Sequence, residues 1–124
     1  IGTTKDISEE KGEQVIKPET SEEITKMLVT VVDKALLEGK IKHDRYAIAA
    51  KTGTAQIASP HGGYYEDRYL HSFFGYFPAY SPRFLVFMYT VNPKGVEYAS
   101  HSLTEPFAKI TDFLISYYNI PPDR

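Results

Sequence analysis

The sequence has no cysteine and no tryptophan. Without thiols, neither a disulfide scaffold nor a thiolate metal site can form. Basic charge is not in excess. A net charge of −2 offers no basic face to neutralise phosphates and argues against a nucleic-acid binder. No apolar run reaches the ~18 residues of a membrane span, and no signal peptide opens the chain. Either the protein is cytosolic or a targeting segment lies outside these residues. His43, His61, His71 and His101 are scattered without metal-ligand spacing, so no metal site is expected. Each is read as a surface or satisfied core residue.

What is present suits one domain or a large piece of one: 124 residues, 42% of them hydrophobic. Ten Tyr and seven Phe carry the aromatic content, most of them after residue 63. That bias suits a half-buried sheet, where aromatics pack well on a pleated face.

Residues 1–17 are mostly polar, with charges clustered from Asp6 to Glu13, and read as an exposed arm or short strand. A helix follows. Thr20 and Glu23 fit a capping box. Ile24, Met27, Leu28, Val31, Val32, Ala35 and Leu36 form an apolar stripe at helical spacing. Gly39 is the expected stop.

Three strands come next: Tyr46 to Ile57, Leu70 to Phe77, and Phe84 to Val91. Ser59-Pro60-His61-Gly62-Gly63 between the first two is turn chemistry. The last strand is nearly all apolar, which predicts burial on both faces. Its short link from Phe77 favours an antiparallel hairpin. A second helix is predicted from about Ser102 to Tyr118. Ser102 and Glu105 offer a capping box, with Thr104 before Pro106 as another start. Leu103, Phe107, Ile110, Leu114 and Tyr117 form its stripe. The fold class is therefore α+β: an antiparallel sheet of about three strands flanked by two amphipathic helices.

The most informative run is Lys51-Thr52-Gly53-Thr54. Lysine and glycine are poor strand formers, and a strand glycine permits close approach of another backbone or a ligand. Thr52 and Thr54 alternate onto one face, with Lys51 on the other unless its stem curls round. One ammonium, two hydroxyls and an accessible backbone edge suit an extended peptide ending in a carboxylate. The plainer reading is an edge strand whose lysine prevents aggregation. Glu66-Asp67 could form a catalytic pair, but in a Tyr- and Gly-rich loop they read as solvated. Phe73, Phe74, Tyr76 and Phe77 read as core rather than a ligand platform.

Lys-Thr-Gly is a signature of serine β-lactamases and penicillin-binding proteins. The wider run Ala49 to Gln56 resembles the same strand in class B penicillin-binding proteins, which include the septal and elongation transpeptidases. So do Gly63-Tyr64-Tyr65 to Arg68-Tyr69, Ser72 to Ala79, and Pro82 to Val86 in the following segments. Ile16 to Thr20 resembles the preceding helix start. Glu105-Pro106-Phe107 and Ile120-Pro121-Pro122 resemble the closing helix and its tail. The likeness runs in order from about Val15 to Pro122.

There are departures. Ala99-Ser100-His101-Ser102 stands where the family usually has paired glycines, and His71 stands where a small residue is common. Ser8-Glu9-Glu10-Lys11 fits the Ser-x-x-Lys pattern but lies in a charged arm with no apolar helix to bury it. No Ser-x-Asn element occurs. The chain is therefore expected to be the last part of a larger domain whose nucleophile lies upstream. Residues 18–124 form that portion of a penicillin-binding/β-lactamase-like fold.

The resemblance implies a peptidoglycan D,D-transpeptidase that binds β-lactams, works without a cofactor, and sits at the extracytoplasmic face of the bacterial membrane, held by an N-terminal anchor. The rest of the transpeptidase domain is an implied partner, and the chain alone is expected to be inactive. Lys51 and Thr54 are the implied catalytic residues. Thr52, Gly53 and Thr54 are the implied substrate-binding ones. A serine β-lactamase, a penicillin sensor, or a non-enzymatic binding module are the other readings of the same residues.

Overall fold

The computed structural model describes residues 12–124. The Asp6–Glu13 charge cluster falls mainly outside them, as does the Ser8–Lys11 pattern. Helix α1 spans Pro18–Thr30. Proline at the first helical position needs no N–H partner and has a helix-compatible φ, so it starts the helix ahead of Thr20. The anticipated Thr20–Glu23 capping box is not formed; the cap is Lys17, with no side-chain bond. The helix relaxes into a π turn at Val31–Ala35 and a 3₁₀ turn at Leu36–Gly39. Leu37, Glu38 and Gly39 all have positive φ there, so the stop at Gly39 is a three-residue unwinding rather than a single glycine cap.

The buried row is Thr25, Val29, Val32 and Leu36. Ile24 and Met27 of the expected stripe face outward instead. Thr25 takes the inward place because its hydroxyl has partners: it lies 2.9 Å from the Ser21 carbonyl and 2.7 Å from the Tyr76 hydroxyl.

The sheet has three antiparallel strands in sequential order, β1 (Ala49–Ala58), β2 (Tyr64–Phe77) and β3 (Phe84–Val91). Strand β2 starts earlier than expected. The Ser59 N–H bonds to the Gly63 carbonyl at 2.9 Å, and Gly62 and Gly63 accept positive φ, so the turn is tight enough to pair Tyr64 with Ala58. Glu66 and Asp67 thus lie on a strand, not in a loop, and both are exposed.

One sheet face carries Ala50, Phe73, Phe77, Val86 and Met88 and packs against α3 (Thr104–Tyr117). Phe107 is the centre of that layer, 4.5 Å from Phe73 and 6.4 Å from Phe77 between ring centroids. Full burial of such a side chain is worth ~2–3 kcal/mol. On the other face α1 covers Ala49 and Tyr76. Beyond them β3 is open: Leu85, Phe87, Tyr89 and Val91 are 68%, 61%, 65% and 58% exposed. The expectation of burial on both faces is corrected here. Only Phe84, Val86 and Met88 of this apolar strand meet the core.

The closing helix is split. A short turn α2 (Ala99–Ser102) precedes α3, and neither has a side-chain cap. Thr104, Phe107, Thr111 and Ile115 are its buried row, while Ile110 and Tyr117 of the expected stripe point outward. Phe107 sets that rotation by occupying the space above Gly75. The tail then clamps the approach to β1. The Tyr46 hydroxyl donates to the Ile120 carbonyl at 2.6 Å, the Ala47 N–H donates to Asp123 Oδ1 at 2.7 Å, and Arg124 pairs with Asp33 at 2.7 Å.

Candidate functional site

Strand β1 is an outer strand, paired on one side only among the described residues. Its first two residues, Ala49 and Ala50, are wholly buried, and this anchors the run that follows. Lys51 pairs with Phe74, Thr52 with Phe73, Gly53 with Ser72 and Thr54 with His71. Strict alternation puts Thr52 and Thr54 on the α3 side and Lys51 and Gly53 on the other. Thr52 is half-buried and Thr54 exposed. The lysine stem folds back along the strand. Its Nζ donates to the Thr52 carbonyl at 2.7 Å, which brings the charge to the strand despite the opposite side-chain face.

Gly53 has a reason inside the fold as well as toward a ligand: a Cβ there would press on the Ser72 hydroxyl of β2. Among the described residues, no group of His, Asp and Glu side chains comes together as a metal site.

A polar network backs the strand. His71 is fully buried. Its Nδ1 is 2.8 Å from Ser102 Oγ, and its Nε2 is 2.8 Å from the Glu97 carbonyl. Ser102 Oγ also lies 3.3 Å from the Ala99 carbonyl. The Ala99 N–H donates to Thr54 Oγ1 at 3.0 Å. Beside this network, the Glu97 carboxylate pushes the Tyr98 phenol above its usual value, by its charge and by a hydrogen bond.

The reading of His71 as a satisfied core residue is met. Its link to Thr54, through Ser102 and Ala99, is not legible in sequence, because it depends on the β1–β2 register and on the path of the 92–103 segment. Glu66, Asp67, His43, His61 and His101 do not enter the network among the described residues.

The protein-family model described as the penicillin binding protein transpeptidase domain matches residues 3–112. Penicillin-binding protein PbpB of Mycolicibacterium smegmatis is 32% identical over 135 residues, covering 97% of this chain and 20% of that protein. Stage V sporulation protein D of Bacillus subtilis is 39% identical over 87 residues, covering 66% of this chain and 12% of that protein. Among solved structures, penicillin binding protein 3 of Mycobacterium tuberculosis complexed with ampicillin superposes with a TM-score of 0.71 at 28% identity, over 88% of this chain and 26% of that one. The TP domain of Burkholderia pseudomallei penicillin-binding protein 3 gives a TM-score of 0.76 at 27% identity, over 91% and 34%. The chain thus spans a fifth or less of these two curated relatives and a quarter to a third of these solved chains.

Proposed function

The chain belongs to the penicillin-binding protein transpeptidase family, and we propose that it supplies the substrate-facing strand of a serine D,D-transpeptidase that cross-links peptidoglycan. A serine outside this chain attacks the penultimate D-alanine carbonyl of a stem peptide. The terminal D-alanine leaves, and the acyl group passes to an amine on another strand. β-Lactams acylate the same serine. The reaction needs a nucleophile, a base, an oxyanion hole and a carboxylate anchor. This chain contributes to the last two.

The observation that carries the reading is the placement of Lys51 to Thr54 on an outer strand, with two hydroxyls on one face and the ammonium drawn to the strand backbone. Thr54 gives its backbone N–H to the oxyanion hole. Its hydroxyl and that of Thr52 bind the substrate carboxylate. Lys51 adds positive potential, and Gly53 lets an extended peptide lie along the edge. The ampicillin complex of the similar Mycobacterium tuberculosis protein supports the β-lactam part of the reading. The chain alone is inert: among the described residues Ser102 has a base in reach, His71 Nδ1 at 2.8 Å, but that imidazole is fully buried and also bonded to the Glu97 carbonyl, so the pair holds the 97–102 segment together. The whole enzyme works at the extracytoplasmic face of the bacterial membrane, where its substrate lies.

The test is Lys51→Ala in the full-length enzyme, with penicillin acylation followed by rapid quench. Loss of one charge-assisted contact from a preorganised site costs on the order of 2–4 kcal/mol in barrier, roughly thirtyfold to several hundredfold in rate. A rate within about threefold of the parent, well under 1 kcal/mol, removes Lys51 from the role.

A further inference from the structure

We infer that His71 is a positioning residue for carboxylate recognition, clamping the Glu97–Ser102 segment so that the Ala99 N–H fixes the Thr54 hydroxyl as a hydrogen-bond donor. This rests on the proposed role of Thr54 in binding the substrate carboxylate.

A carbonyl oxygen only accepts, so Nε2 of His71 carries the proton in its 2.8 Å bond to Glu97. The other ring nitrogen bonds Ser102 Oγ. The imidazole therefore holds the segment at both ends, just before α2 begins and at its last residue. Ala99 lies between these two grips and is wholly buried. Its N–H points at Thr54 Oγ1, and Thr54 sits opposite His71 across the β1–β2 ladder.

A threonine hydroxyl has one proton and two acceptor lone pairs. The Ala99 N–H occupies a lone pair, which leaves the proton to be given away. Among the described residues Thr54 Oγ1 has no acceptor for that proton, and the residue is exposed. The proton is therefore available to an arriving acceptor without breaking a bond inside the protein. Such a donor suits an anionic oxygen. His71 itself has both nitrogens engaged and no exposed surface, so it acts through Thr54 rather than on substrate.

The experiment compares acylation of the full-length enzyme by benzylpenicillin and by its methyl ester, which lacks the carboxylate. The readout is the acid-to-ester rate preference. Thr54→Val is expected to lose much of that preference. His71→Ala and Ser102→Ala are expected to lower it by about three- to tenfold, the size of one hydrogen bond. In His71→Ala and Ser102→Ala the rate toward the ester stays near the parent value. Ser102→Thr restores the hydroxyl and the preference, and Ser102→Ala adds nothing in the Thr54→Val background.

If His71→Ala does not fold, the half-buried Ser102 decides the matter alone. A Ser102→Ala enzyme that keeps its preference while Thr54→Val loses it overturns the clamp and leaves the role of Thr54 intact. Equal losses toward acid and ester also overturn it, since they mark a merely structural role. An unchanged preference in Thr54→Val removes the carboxylate role of Thr54 and the clamp with it.

Discussion

The ring of Phe107 on α3 lies directly over the backbone of Gly75 in the central strand, in space that a Cβ at residue 75 would occupy. Ala50 of β1 closes the same gap from the side. Helix and sheet approach this closely because β2 is bare at one position.

Gly75→Ala is accordingly expected to destabilise the protein by ~1–3 kcal/mol through overpacking. Phe107→Ala leaves a cavity and costs ~3–5 kcal/mol. Because the two residues touch, the effects are not additive. Phe107→Leu in the Gly75→Ala background recovers part of the loss. Urea unfolding of the parent, Gly75→Ala, Phe107→Leu and the Gly75→Ala/Phe107→Leu double variant measures this. Full additivity would place the strain elsewhere.

The open row Leu85, Phe87, Tyr89 and Val91 predicts that the 124-residue chain alone self-associates, since a contiguous apolar patch on an outer strand favours pairing. Replacing Leu85 and Phe87 by Thr is expected to shift size-exclusion elution toward the monomer without loss of strand content, because neither side chain is in the core. Elution of the parent chain as a clean monomer would contradict this. The remainder of the transpeptidase domain is the proposed cover.

The same chain, incubated with excess penicillin, is expected to show no adduct by intact-protein mass spectrometry. A hydroxyl without a fixed base is too weak a nucleophile at neutral pH, and Ser102, which has His71 beside it, is tied into the buried network that holds the 97–102 segment. A stoichiometric adduct on any serine of the chain would show that the nucleophile is within it.

The sheet was legible because its strands are rich in β-branched and aromatic residues and its turns carry glycine and proline. The site strand stood out because Lys51 and Gly53 are poor choices for a strand without a purpose. Helix rotation was less legible. Thr25, Thr104 and Thr111 sit inside, where polarity alone would place them outside. In α1 the hydroxyl–hydroxyl contact of Thr25 with Tyr76 spans 51 positions and leaves no local trace. In α3 the position of Phe107 over Gly75 turns the helix. The exposure of β3 contradicted its composition for a related reason. An apolar strand reports what it is suited to pack against, and among the described residues only one face of β3 has a partner. The His71 network was hidden because its members come from three separate segments, brought together by the β1–β2 register and by the path of the 92–103 segment.

The most direct measurement is a crystal structure of the full-length enzyme acylated by a penicillin. The acyl carbonyl oxygen is expected ~2.7–3.1 Å from the Thr54 backbone N–H. The drug carboxylate is expected against the hydroxyls of Thr52 and Thr54, with the Ala99 N–H still bonded to Thr54 Oγ1. An adduct whose carbonyl and carboxylate both lie away from β1, held by other residues, would contradict the assignment of this strand as the substrate-facing element.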